Sequence, residues 1–154
     1  MLSKLAAPLA RSSRGMASLA VQNLKLGAAT ALPTMAAGQV SIAMIASPVH
    51  HADTKGGSGV GGSEGLGRVT AVGSGVSHLQ EGDWVVPSLG FGAWCTEAVL
   101  EAASVTKVPS DIPAAYAATM SSDSATAYRL LHDYGLSSGD WLIQSDATSP
   151  VGVA

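Results

Sequence analysis

The sequence predicts a mostly β domain, a small barrel or sandwich, followed by helices and the first strand of an α/β unit. Three observations carry this. Short runs of β-forming residues are separated by Gly or Pro signals every eight to twelve residues from about residue 39 to 110. The chain then changes to a helical period and ends on an apolar run followed by a small-residue turn, "WLIQSDATSPVGVA". Finally, aromatic content is only 5% and there are 18 glycines, which favours turns and small side chains over a bulky core.

The elements follow in order. "QVSIAMIAS" (39–47) places Val40, Ile42 and Met44 on one side of an alternating strand, which Pro48 ends. "HHADTKGGSGVGGSEGLG" is a loop by its glycines. "RVTAVG", "WVVP", "AWCTEAVLE" and "SVTKVP" read as strands, with "SGVSHLQEGD" and "LGFG" as the turns. Asp111 is placed to cap a helix with Pro113 in its first turn. Ser122 is placed to cap a second, in which Ala127, Leu130, Leu131 and Tyr134 fall at i, i+3, i+4 and i+7 before Gly135 stops it. "WLIQ" is the terminal strand. At 154 residues the chain holds one ordinary core and not two full domains.

Charge is distributed unevenly. Lys4, Arg11, Arg14 and Lys25 all precede Asp53, the first acidic residue, and everything from Asp53 onward is strongly acidic. That balance offers no basic face for nucleic acid. No apolar run reaches the ~18 residues of a membrane span. "MLSKLAAPLARSSRGMASLA" combines Arg, Ser, Ala and Leu without acid, the composition of a transit peptide, so residues 1–20 are assigned as a mitochondrial leader, with the plastid as the alternative address, and 21–38 as a linker. A single cysteine, Cys95, excludes an internal disulfide and a cysteine-based zinc cluster.

Several motifs match only literally. "GSGVGG" (57–62) fits G-x-G-x-x-G, but that fingerprint needs a strand before it and a helix after it, and here β structure follows. "GGSEG" (61–65) fits G-x-S-x-G, which would make Ser63 a nucleophile, yet only His78 and His132 come later to serve a triad. His50 and His51 are neighbours on an extended chain and so point to opposite faces, and no second ligand cluster is evident in the sequence. Cys95 reads as a packed thiol. No catalytic residue and no metal site is assigned.

Taken together, "GSEGLGRVTAVGSGVSHLQEGDWVVP", "FGAWCTEAVL", "VPSDIPAAYAAT" and "ATAYRLLHDYGLSSGDWLIQ" resemble the medium-chain dehydrogenase/reductase superfamily. The likeness is greatest to its zinc-independent branch of NADPH-dependent trans-2-enoyl-CoA reductases of mitochondrial fatty-acid synthesis. The resemblance implies a GroES-like β-barrel with connecting helices over 39–134, followed over 135–154 by the first strand and phosphate turn of an incomplete Rossmann domain. It implies a mitochondrial matrix protein, an enoyl thioester substrate, and a homodimer only where the Rossmann domain is present. Completing that domain takes on the order of 130 further residues, so these 154 are not expected to turn over substrate alone.

Zinc-dependent relatives carry His where this chain has Ser63, and Glu64 is read as a hydrogen-bonded structural carboxylate. The family's proton-donating tyrosine lies in the loop that here reads "TKGGSGVGG", without tyrosine; Tyr116, Tyr128 and Tyr134 all come later. Cofactor contacts carried over from the family fall on Asp123, where the family has asparagine, on Thr126, and on the turn Thr148, Ser149, Pro150, Val151 and Gly152. Pro150 stands where the family has glycine and removes one amide donor. The alternatives are a quinone or alkenal reductase, or a non-catalytic GroES-like module that binds or oligomerises.

Overall fold

In a computed structural model the described residues are 17–22, 25–55 and 59–153. Four two-residue strands come first: β1 (Ala17–Ser18), β2 (Val21–Gln22), β3 (Lys25–Leu26) and β4 (Thr30–Ala31). β1 pairs with β4 and β2 with β3, all antiparallel. β5 (Gln39–Ala46), β6 (Leu66–Val72), β7 (Trp84–Pro87), β8 (Glu97–Glu101) and β9 (Val105–Val108) form one antiparallel sheet in the order β8-β5-β6-β7-β9. Each strand read from the sequence between residues 39 and 110 is present.

The connection between β8 and β9 shows that this sheet is curled. The two strands are opposite edges, which in a flat five-stranded sheet lie about 19 Å apart. Yet only the 3₁₀ turn Ala102–Ser104 joins them, and four residue steps reach at most about 14 Å. The edges are therefore drawn together as in a barrel, while Ser88 N–H, donating to Ser104 O at 2.8 Å, extends the β7–β9 pairing by one residue.

Two apolar clusters fill the molecule. Val40, Ile42, Val69, Leu79, Val85, Ala102 and Val105 form the interior of the curl, with Met44 packed against them. Leu66, Val86, Val108, Ala117 and Ala118 form the second cluster outside it. Val85 and Val86 belong to different clusters because adjacent strand residues face opposite ways. The alternation expected of β5 is broken at Ser41, which is also fully buried. A register shift between Ser41 and Ile42 in the pairing with β6 marks an irregularity there, and Val40, Ser41 and Ile42 are buried in succession.

Beyond β9 come α1 (Ala114–Ala118), a π-helical turn Met120–Ser124, α2 (Ala125–Asp133) and the short α3 (Pro150–Val153). Pro113 is the residue before α1, and no side chain caps it, so the expected Asp111 cap does not form. Ser122 is not the cap of α2 either. It lies inside the π turn and α2 starts at Ala125, because the backbone of Ser122 is committed elsewhere.

Two further expectations need correction. The sequence boundary at residue 20 runs through folded structure. Thr96 N–H donates to Leu19 O at 2.8 Å, Val21 N–H to Trp94 O at 2.7 Å and Gly61 N–H to Val21 O at 2.9 Å. Residues 17–22 thus satisfy backbone groups of the 94–96 segment; the rest of the leader lies outside the described residues. The expected "WLIQ" strand is absent: residues 141–144 have no regular structure, and Trp141 and Ile143 are 95% and 94% exposed. A β-forming run without a neighbouring strand has nowhere to place its backbone hydrogen bonds.

Candidate functional site

Three segments distant in sequence converge where β5 ends and β6 begins. Pro48 stops β5, and its carbonyl accepts from Trp94 Nε1 at 3.2 Å. Ser47 Oγ donates to Glu64 O at 2.8 Å, tying the end of one strand to the approach of the next. Asp53 Oδ2 accepts from His50 N–H at 3.0 Å and so opens the 3₁₀ turn His51–Lys55. His50 faces inward while His51 is exposed, but the segment is not the extended chain expected from the sequence, since His51 opens the 3₁₀ turn.

Glu64 is fully buried. Its Oε1 lies 2.7 Å from His50 Nε2, and its Oε2 accepts from Ser122 N–H at 2.9 Å. The second bond holds the π turn against the barrel. It also places Asp123, 6% exposed, with Oδ2 3.9 Å from His50 Nδ1. That separation is too long for a hydrogen bond, and Asp123 Oδ2 has no hydrogen-bond partner. The structural role read for Glu64 agrees with this geometry. The sequence reading did not bring His50, Glu64 and Asp123 together, although their ligand atoms lie within 4.8 Å of one another.

"GSGVGG" serves packing. Gly61 and Gly62 lie under the Trp94 indole, where a Cβ on either would come within 2.5 Å of the ring, and Gly62 holds φ at +88°. Trp94 N–H donates to Gly61 O at 2.8 Å and Ala93 N–H to Gly62 O at 2.9 Å. No helix follows, so neither a dinucleotide fingerprint nor a nucleophile elbow is built; Ser63 O accepts from Gly90 N–H at 2.7 Å and β6 begins at Leu66. Cys95 is half-buried in an isolated bridge with Ala20, and burial pushes its thiol pKa up, against a smaller opposing effect from the hydrogen bond with Ser18. That thiol is packed rather than poised as a nucleophile.

The residues carried over as cofactor contacts divide. α3 packs against the π turn and against α2, which brings the 148–152 turn beside the segment containing Asp123 and Thr126. Asp123 faces inward to His50, whereas Thr126 is exposed and lines a shallow groove with Arg129, Leu130, Asp133 and Tyr134. In the turn, Pro150 occupies the first position of α3, where its fixed φ suits a helix start. A Cβ on Gly152 would run into the Asp146 carbonyl, so glycine is required there.

The donors of this turn are largely spent. Ser149 N–H goes to Asp146 O at 3.2 Å, Gly152 N–H to Ser149 Oγ at 3.1 Å and Val153 N–H to Ser149 O at 3.0 Å, while Pro150 has no N–H and Thr148 Oγ1 turns to Asp146 Oδ1 at 3.4 Å. The shape of a phosphate turn is present, but its hydrogen bonds close on themselves, and the residues fit a dinucleotide phosphate poorly. The three tyrosines are each more than 60% exposed on the helical side, and Tyr128 stacks on His132 at 5.3 Å.

Comparison with known proteins places this architecture. Residues 36–110 match the alcohol dehydrogenase GroES-like domain. The mitochondrial enoyl-acyl-carrier-protein reductase of Xenopus tropicalis is 45% identical over 128 residues, 75% of this chain and 37% of the relative. That of Homo sapiens is 40% identical over 146 residues, 87% of this chain and 38% of the relative. The corresponding Arabidopsis thaliana protein, also mitochondrial, is 41% identical over 125 residues. The chain thus spans under two fifths of the length of these relatives. Among solved structures, the Etr1p/NADP/crotonyl-CoA complex is similar with a TM-score of 0.77 at 27% identity, covering 89% of this chain and 50% of that one. The mitochondrial 2-enoyl thioester reductase heterodimer of Candida tropicalis gives 0.75 at 28% identity, with the same coverage.

Proposed function

Because the chain belongs to the medium-chain dehydrogenase/reductase superfamily, as a mitochondrial member built on its GroES-like domain, we propose that it is the N-terminal portion of an NADPH-dependent enoyl thioester reductase. The observation that carries this reading is the match of 89% of the chain to a structure holding both NADP and crotonyl-CoA. The 40–45% identity to mitochondrial enoyl-acyl-carrier-protein reductases agrees with it.

Reducing the C=C bond of an enoyl thioester takes a hydride at the β-carbon and a proton at the α-carbon. NADPH supplies the hydride where it is bound. The barrel described above provides one wall of the cleft in which these meet. Its contribution is a rigid surface, held by the Glu64–Ser122 and Trp94–Pro48 bonds. A phenol in hydrogen-bond reach of the developing carbanion would serve as acid, but all three tyrosines lie on the exposed helical side. The chain therefore carries no assigned acid for the second half of the reaction.

The opposite wall is formed by residues not among these. α2 buries none of its side chains, and Leu130, Leu131, Tyr134, Trp141 and Ile143 leave an apolar surface for an α/β half to cover. In this reading a homodimer forms through that half.

The test is titration of the chain with NADPH. The self-satisfied 148–152 turn supports binding no tighter than about millimolar; a micromolar dissociation constant would place a working cofactor site in these 154 residues and overturn the one-wall reading.

A further inference from the structure

His50 stands between two carboxylates that approach opposite edges of its ring: Glu64 Oε1 lies 2.7 Å from Nε2 and Asp123 Oδ2 lies 3.9 Å from Nδ1. We propose that His50 is a doubly protonated positioning residue, an imidazolium that holds the π turn to the barrel by pairing with one carboxylate from each, so that docking of the turn takes up a proton. The geometry of the three groups carries this independently of the reductase reading.

Hydrogen-bonding capacity comes first. An ionised carboxylate only accepts, so the 2.7 Å contact with Glu64 places a proton on Nε2. In a neutral ring that leaves Nδ1 as a bare lone pair. It then faces Asp123 Oδ2, itself an enclosed acceptor with no hydrogen-bond partner. Two acceptors turned toward each other away from water repel, and both stay unsatisfied. One further proton on the ring converts that contact into an ion pair and leaves the bond to Glu64 in place.

Charge points the same way. Glu64 is fully buried and Asp123 is 6% exposed. Among the described residues no lysine or arginine pairs with either; Lys107 goes to Asp83 and Arg129 to Asp133. A neutral ring leaves two buried negative charges unopposed, which is costly, whereas an imidazolium lies between them and attracts both. The third titratable group in contact with His50 is Asp53 on the 3₁₀ turn, again a carboxylate, which accepts from the His50 backbone N–H at 3.0 Å and so adds to the field that favours a cation.

Position gives the proton its effect. His50 follows the end of β5, Glu64 precedes β6, and Asp123 belongs to the π turn that leads into α2. Ser122 N–H to Glu64 Oε2, at 2.9 Å, is a second polar link between that turn and the barrel. It needs no proton from the ring. Loss of the ring's second proton therefore weakens one link of the two and turns the Asp123 contact repulsive. The proton is bound in the docked state, so the stabilisation is fully present below the free imidazole value of about 6.5 and is lost as pH rises through the point at which the folded chain releases it.

The experiment is nitrogen NMR of the histidine rings in the full chain, joined to urea unfolding of the native and Asp123→Asn chains from mild acid to mild alkali. The expected spectrum has both ring nitrogens of His50 protonated at neutral pH. The folding constant of the native chain relative to Asp123→Asn should fall as pH rises, by up to ~10-fold per pH unit for one linked proton. His51→Ala, which removes an exposed ring from the same segment, should leave that dependence in place. Should Asp123→Asn fail to fold, the spectrum of the native chain decides. A His50 ring with one protonated nitrogen at neutral pH, wherever the proton of Asp123 lies, or a stability ratio that is flat or rises with pH, overturns the proposal.

Discussion

Replacing Gly62 by alanine is expected to destabilise the barrel more than any other glycine exchange at the same backbone angle, for a reason that can be separated into two parts. Gly62 has φ +88°, and Gly82 has φ +92°. A non-glycine residue in this left-handed region costs about 1–2 kcal/mol. A Cβ at Gly82 meets nothing within 4 Å, so Gly82→Ala carries only this cost. At Gly62 the same Cβ would lie 2.5 Å from Trp94 Cδ1 and 2.9 Å from both Cγ and the Trp94 nitrogen.

Carbon atoms rest at about 3.5–4.0 Å, so the indole must move by roughly 1 Å, and overpacking of that kind adds about 1–3 kcal/mol. Gly62→Ala should therefore cost about 2–5 kcal/mol. Urea unfolding followed by tryptophan fluorescence reads this as a fall in midpoint on the order of 1–2 M, for a slope of about 1–3 kcal/mol per molar. Gly61→Ala, which meets the same ring at 2.5 Å without the positive φ, should fall between the two. Equal midpoints for Gly62→Ala and Gly82→Ala would refute the argument that Trp94 dictates glycine at this position.

Three further outcomes follow from the structure. Glu64→Ala removes the acceptor of Ser122 N–H and the partner of His50 and should cost roughly 1.5–3 kcal/mol in chemical denaturation. Glu64→Gln keeps an oxygen for Ser122 and should cost less, and an alanine variant as stable as the native chain would contradict the bracing role. Lys107 donates to Asp83 at 2.8 Å, and this bond, aided by Gln80 N–H and opposed by burial, holds the Asp83 carboxyl below its usual value. The stability it provides is present above the unfolded carboxylate pKa of about 3.9 and is lost as pH falls through the lowered folded value. Lys107→Met should thus lower stability at neutral pH by less than about 1 kcal/mol, because the lysine is half exposed; a gap that widens in acid would show that the sign is wrong. Amides of residues 141–144 should exchange with solvent at close to unfolded rates, whereas that of Ile42 is protected; strong protection at 141–144 in a monomer would reveal pairing that the structure does not contain.

What the sequence revealed and what it hid divide along the range of the interactions. The strands of the curled sheet were legible because Gly and Pro punctuate them and because Val40 and Ile42 alternate within one local stretch. The glycines of "GSGVGG" announced a loop, but that two of them are required by Trp94 depends on a contact across more than thirty positions. The pairing of residues 17–22 with 94–96 was hidden for the same reason, masked by a leader-like composition. His50, Glu64 and Asp123 sit on three segments whose meeting is decided by the closure of the sheet and by Ser122 N–H reaching Glu64. No periodicity encodes that. "WLIQ" erred in the opposite direction: its β propensity is real, but propensity without a partner strand does not make a strand.

The claim on which the account depends is that these residues form one wall of a cleft whose chemistry needs two. Incubating the purified chain with crotonyl-CoA and NADPH and following NADPH absorbance tests it directly. The account predicts no oxidation above the rate without protein. Sustained turnover that scales with the amount of chain would contradict it.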